Sequence, residues 1–403
     1  MAGDMPEERG YMNNFDFYSP TYFAFGKDQE NRAGELVKKF GGTKVLIHYG
    51  GGSVVRSGLL DRVKASLEKE GVEYVELGGV KPNPRSGLVY DGIELCRSEG
   101  VDFLLAVGGG STIDSSKAIA AGTLYDGDFW DFYCGKAFVQ KALPVGTVLT
   151  IAAAGSEGSG DSVITKEEGM FKRGTGSNAL RPKFSILNPA LTQTLPPHQT
   201  AAGITDIMAH LYERYMTHTT EVEVTDRMIE ALMMTLIHEG PRVIKDPDNY
   251  EARANIMWAG MMAHNNSCGV GRSQDWISHM MEHELSALYD CAHGAGLAVA
   301  MPAVFTYELP HAVMRFAQVA NRVWGCPMDF ANPEATAKAG IEALRSFLTS
   351  LGMPRTIGEL GGSEEDIEKL TQVLCYGDGG NGSIGGFLQL NADQCAEIYR
   401  MML

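Results

Sequence analysis

Apolar runs that empty into glycine recur through the first half of the chain. Val45-Leu46-Ile47 leads to Gly50-Gly51-Gly52-Ser53, and Phe103-Leu104-Leu105-Ala106-Val107 leads to Gly108-Gly109-Gly110-Ser111. Between them, the run from Val72 to Leu77 ends at Gly78-Gly79 and a rigid Pro82-Asn83-Pro84 turn; later, Val145 to Ile151 enters the small residues Ala152-Ala153-Ala154-Gly155-Ser156. Helical spacing covers 34–42 and follows three of these runs, at 54–70, 87–99 and 112–121. Continuous apolar strands alternating with helices predict βα units around a parallel sheet covered on both faces. Residues 161–187 predict a hairpin-like excursion made of Ser162-Val163-Ile164, a charged turn and Phe184-Ser185-Ile186-Leu187.

After Asn188-Pro189 and Pro196-Pro197 the strand pattern fades. Helical periodicity replaces it at 199–217, 222–238, 250–266, 272–288, 294–307, 310–324, 332–351 and 363–375, with Pro241, Pro247, Pro302 and Pro354 as punctuation. The expected architecture is an α/β N-terminal domain with a parallel sheet over 12–190, then an all-α domain over 191–403. Residues 1–11 are acidic and polar and read as a flexible extension with no secretory signal.

Composition narrows the function. A net charge of −16 argues against a nucleic-acid partner. It leaves room for a phosphate held at a helix N-terminus. No apolar run is long enough to span a membrane. Seven cysteines with no CxxC pair fit reduced thiols of a cytoplasmic protein. Cys291, two residues before His293, is a candidate ligand or, more simply, a small core residue.

The chemistry concentrates at 205–294. Asp206 and His210 share one helix face by their i, i+4 spacing, as do His279 and His283, and His293 follows. A carboxylate and imidazoles converging from separate helices suit a divalent transition metal. The other histidines, His264 among them, show no such grouping. In the first half, both glycine turns let a backbone approach a pyrophosphate, and Thr150 and Ser159 offer hydroxyls. Lys172, in the excursion, reads on its own as a surface charge.

At these residues the chain resembles the iron-containing alcohol dehydrogenase family, nearest its butanol dehydrogenase and aldehyde reductase branch. The matching stretches are FAFGK (23–27), KPNP (81–84), LLAVGGGSTIDSSKAIA (104–120), AAGITDIMAHLYERY (201–215), NYEARANIMWAG (249–260) and QDWISHMMEHELSALYDCAHGAGLAVAMP (274–302). The resemblance implies a dehydroquinate synthase-like fold, with an α/β N-terminal dinucleotide-binding domain and an all-α metal-binding domain, and NAD(P)-dependent interconversion of primary alcohols and aldehydes. It also implies a homodimer. It makes Asp206, His210, His279 and His293 the metal ligands, for Fe²⁺ or Zn²⁺, with His283 near the nicotinamide as a candidate proton relay. The cofactor positions it implies are Gly50, Gly51, Gly52, Ser53, Asn83, Gly109, Gly110, Ser111, Asp114, Thr150, Ser159 and Lys172. NAD-preferring relatives carry an aspartate where this chain has Gly50, so the expectation leans to NADP, with Arg56 near its 2′-phosphate and NAD as the alternative. One carboxylate and three neutral imidazoles around a divalent ion would leave a net +1 at the site.

Overall fold

The structure, a computed structural model, describes residues 11–377 and 380–403. The expected N-terminal extension, apart from Tyr11, lies outside the described residues. The first half runs β1 (Tyr22–Phe25), α1 (Ala33–Lys39), β2 (Lys44–Gly50), α2 (Ser53–Arg56), α3 (Leu59–Lys69), β3 (Glu73–Val80), α4 (Ser86–Glu99), β4 (Phe103–Gly108), α5 (Gly110–Thr123), β5 (Val145–Leu149), β6 (Asp161–Lys166), β7 (Phe171–Gly176) and β8 (Phe184–Leu187). The second half is α6 (Pro197–Tyr215), α7 (Glu223–Lys245), α8 (Tyr250–His264), α9 (Ile277–Tyr289), α10 (His293–Glu308), α11 (Val313–Arg322), α12 (Pro333–Ser350) and α13 (Ile367–Tyr376). A small antiparallel hairpin, β9 (Ser383–Gly385) and β10 (Gln389–Asn391), then leads into α14 (Ala392–Arg400).

Six parallel strands form one sheet in the order β1-β8-β5-β4-β2-β3. All six residues of β4 are buried, because helices cover both faces. Ile47 and Leu105 pack with Leu36, Val63 and Leu67 on one side. Their neighbours Leu46 and Leu104 pack with Val89 and Ile119 on the other. From β2 the chain steps outward to β3, then returns to lay β4 on the opposite side of β2. That reversal opens a crevice at the carboxyl ends of β2 and β4, the usual ligand position in such sheets. Both glycine turns open into it.

Several local expectations change. Phe184–Leu187 is the sheet strand β8, paired with β1 and β5; the partner of β6 is β7. All four β8 residues are buried, which suits a central strand better than an exposed hairpin arm. Gly58, at φ 69°, breaks the helix expected over 54–70 into α2 and α3. Pro241 and Pro302 lie inside α7 and α10 and do not end them. Helix α9 starts at Ile277, after Trp276 turns to a left-handed conformation, and not at 272. Among the described residues no helix is long and apolar enough to cross a membrane.

Candidate metal centre and the cleft that leads to it

One cleft of about 1850 Å³ runs from the glycine turns to the histidines, and every site residue expected above, Cys291 apart, lines it. At the sheet end, backbone dominates. Gly52 has φ 127°, which L side chains rarely adopt, so the turn before α2 requires glycine. Gly109 precedes α5, whose first amide groups face the cleft end of β4. Asp114 is tied down by Ser156 Oγ at 2.5 Å and the Val163 amide at 3.0 Å, so it fastens the loop after β5 to α5.

At the helical end, side chains dominate. Residues Thr200 to Tyr215 of α6 are buried all round, so Asp206, His210, Glu213 and Arg214 sit inside the protein. Gly294 lets α10 lie against α6: a Cβ there would fall 1.9 Å from the Ala202 carbonyl oxygen. That close approach brings His293, at the start of α10, beside Asp206.

Ligand atoms of Asp206, His279 and His293 all lie within 4.8 Å of one another. Both His279 Nε2 and His293 Nε2 are 3.7 Å from Asp206 Oδ1. His210 stands one step out, with Nδ1 3.3 Å from the same oxygen and its ring 4.6 Å from that of His279. Asp206 Oδ1, His279 Nε2 and His210 Nδ1 are buried without hydrogen-bond partners. Buried polar atoms are rarely left unpaired, so three of them gathered around the Asp206 carboxylate fit a cation. Cys291 is not part of the group: its thiol is pushed up to about 12 by burial, and its carbonyl accepts from Asn83.

Two glutamates missed by the sequence reading fix the imidazoles. Glu213 of α6 accepts from His279 Nδ1 and also from the His279 amide, at 3.1 Å, in the first turn of α9. Glu282 of α9 accepts from His293 Nδ1 on α10. Each bond uses Nδ1 and so turns the lone pair of Nε2 inward, toward Asp206. Both glutamates are fully buried. A signal existed: His210-x-x-Glu213 and His279-x-x-Glu282 repeat one spacing. Yet each glutamate serves a histidine on a different helix, Glu213 of α6 one on α9 and Glu282 of α9 one on α10, a pairing that no spacing within one helix reveals.

Electrostatics follow from this arrangement. Burial opposes a proton on His279, but Glu213 and Asp206 outweigh it and push the ring up to about 10. A lone pair that holds a proton so firmly suits a divalent cation at the same place. Burial would raise the Glu282 carboxyl; His293 and Lys172 outweigh it and hold it below the usual range. Lys172 is not a surface charge. It is 4% exposed and donates to Asn83 (3.1 Å), Ser286 (2.7 Å) and Glu282 (3.3 Å). Counting Glu213, Glu282 and Lys172 with Asp206, the groups around a divalent ion sum to neutral, not to the net +1 expected from the ligands alone.

His283 lines the cleft, with its ring 5.8 Å from His293 and 6.5 Å from His279. Burial, then Lys172, His293 and His279, hold it well below the usual histidine range, so it is neutral near pH 7. His264, which showed no grouping in the sequence, belongs to the cluster: its ring lies 4.1 Å from that of His210, tilted at 49°. The gap between 210 and 264 hid it. Met280 lines the cleft, whereas Met281 is core.

Known proteins resemble the chain along almost its whole length. Residues 20–189 match the model of iron-containing alcohol dehydrogenases, and 200–403 match that of the C-terminal part of the same family. The chain is 43% identical to a probable NADH-dependent butanol dehydrogenase of Bacillus subtilis, covering 97% of this chain and 100% of that one. It is 37% identical to the NADPH-dependent aldehyde reductase YqhD of Escherichia coli, over 90% of this chain and 93% of that one. The crystal structure of an NADH-dependent butanol dehydrogenase from Thermotoga maritima superposes with a TM-score of 0.94 at 40% identity, covering 97% of this chain and 99% of that one.

Proposed function

The chain belongs to the iron-containing alcohol dehydrogenase family, oxidoreductases that interconvert primary alcohols and aldehydes with a nicotinamide cofactor, and from that premise we propose which residues carry the reaction. Asp206, His210, His279 and His293 hold the metal, with Glu213 and Glu282 setting the rings. The observation that carries this reading is the convergence of unpaired buried ligand atoms at the bottom of the cleft that begins at the glycine turns. We assign residues 12–190 to nucleotide binding and 191–403 to the metal end.

A bound divalent ion, iron or zinc, supplies Lewis-acid stabilisation of negative charge on the substrate oxygen. The remaining work falls to the protein. Gly50 to Ser53 and Gly109 to Ser111 cradle the nucleotide, while Asp114, Thr150 and Ser159 shape the passage toward the metal end. Asn83 and Lys172 anchor the nicotinamide side against α9. His283, neutral at rest, takes a proton from the alcohol during oxidation and returns one to it during reduction. Burial in the cleft excludes water from the hydride path.

For the cofactor we propose NADP(H). Gly50 brings no carboxylate to the ribose, and a Cβ on Gly52 would lie 3.1 Å from Arg56 Nη1, which places a guanidinium against the same turn. Relatives named for NADH set the opposite expectation. We further propose a cytoplasmic homodimer; the seven free thiols support the reducing compartment.

The test is butyraldehyde reduction by protein stripped with chelator and reloaded with Fe²⁺ or Zn²⁺, assayed with NADPH and NADH. Activity should return with metal, and His279→Ala should lose metal and activity together, by on the order of 10³-fold, while NADPH still binds. Full activity in metal-free protein would overturn the reading.

A further inference from the structure

Beside His210 the cleft wall carries charges that the reaction above does not use. Asp161 opens β6, and its side chain is 54% exposed to the cleft, with Oδ2 3.1 Å from His264 Nε2. His264 Nδ1 lies 2.9 Å from Arg214 Nη2. A guanidinium only donates, so Nδ1 accepts and Nε2 carries the proton that goes to Asp161. Arg214 is itself 3% exposed, donates from Nη1 to the His210 carbonyl at 3.0 Å, and lies 4.6 Å over the Trp276 ring. The result is a fixed relay from Arg214 through His264 to Asp161. It spans α6, α8 and β6 and stands one imidazole ring from a ligand.

This wall is costly for an alkyl tail. Partial loss of water against the protein wall disfavours the Asp161 charge, but His264, Lys117 and Arg214 outweigh it and hold the carboxyl far below its usual range. When cofactor and substrate fill the cleft, an ionised carboxylate on the wall loses water and needs a donor in exchange. A hydrocarbon supplies none. A hydroxyl on the substrate tail supplies one.

We propose that Asp161, oriented by His264 and Arg214, is a specificity-determining residue that selects alcohols carrying a second hydroxyl, and the matching hydroxyaldehydes, over plain alkyl substrates. The inference rests on the proposed function, because it takes the reacting oxygen to lie at the ligand cluster. A tail then reaches the wall from there. An anionic tail is repelled by Asp161 and is excluded.

The experiment uses the metal-loaded full chain and compares alcohol oxidation in pairs of equal length: ethanol with ethane-1,2-diol, 1-propanol with 1,3-propanediol, and 1-butanol with 1,4-butanediol. The best diol should exceed its partner in kcat/KM by about tenfold or more, well beyond the roughly twofold gain from having two reactive ends. In Asp161→Ala that ratio should fall to near this end effect, and in Asp161→Asn it should fall partway. A ratio taken within one protein sample does not depend on how much of a variant folds. The proposal is overturned if every wild-type ratio stays at the end effect, or if the ratio survives in Asp161→Ala. It is also overturned if the variants raise only the KM for the nicotinamide, which would make Asp161 a cofactor contact. Failure to oxidise any alcohol would instead bring down the proposed function itself.

Discussion

The two ends of the cleft are built from different material. At the sheet end the shape comes from backbone: the turns after β2 and β4 sit where strand order reverses, and glycines keep them open. At the helical end it comes from ionisable side chains on α6, α9 and α10, crosswise bonded and nearly all buried. The sheet end presents backbone amides of its turns and helix starts, with the Arg56 guanidinium beside them. The helical end gathers three carboxylates, five histidines and a lysine where charge is expensive unless paired. Substitution should therefore act differently at the two ends. Adding a side chain should change which cofactor fits at one, and removing a charge should change what is held at the other.

The glutamates provide the largest effect. Glu282→Gln keeps the shape and removes the charge that His293 and Lys172 share. Its metal affinity should fall roughly 10–100-fold, as should that of Glu213→Gln, with retained nucleotide binding. Competition with a chromophoric chelator measures the affinity, and nicotinamide fluorescence measures the nucleotide. Unchanged metal affinity in both variants would show that the imidazoles hold their geometry without these partners. Weakened nucleotide binding of equal size would erase the contrast between the ends.

Gly50→Asp tests the other end. Its Cβ has room, with the Val80 carbonyl oxygen at 3.5 Å. A carboxylate there repels a 2′-phosphate and accepts from a free ribose hydroxyl. The ratio of kcat/KM for NADPH to that for NADH should drop about tenfold, and metal content should not move. A ratio that holds would remove Gly50 from cofactor choice.

Much of this contrast was legible in the sequence. The glycine turns and the i, i+4 pairs Asp206/His210 and His279/His283 are local patterns, and the fold places them as the periodicity predicts. The hidden parts depend on contacts between distant positions. Glu213 meets His279 66 residues away, and His264 meets Arg214 50 residues away. No periodicity within one helix reports such meetings. Strand β8 was misplaced for a related reason: a short apolar run does not say which strand it pairs with. Lys172 looked like a surface charge because its three acceptors come from other elements.

Glu157 feels both ends and gives the smallest effect. It lies in the loop after β5, is 2% exposed, and its carboxyl is raised to about 7. Burial is the main cause; Lys117 partly offsets it, and Asp114 at the sheet end and Asp206 at the helical end push it further up. The folded protein therefore binds this proton more firmly than the unfolded chain does. Between the ordinary value of 4.5 and about 7, stability from this group declines as pH rises, and above 7 the cost is complete. Glu157→Gln removes the charge and keeps the shape. In metal-free protein the variant should melt about 2 °C or more above wild type at pH 8, with the gain vanishing near pH 4.5. Loading metal should shrink the gain at pH 8, because a cation beside Asp206 cancels one of the two carboxylates that raise Glu157. A gain that ignores both pH and metal would mean that Glu157 is ionised at no cost, and that the loop insulates one end of the cleft from the other.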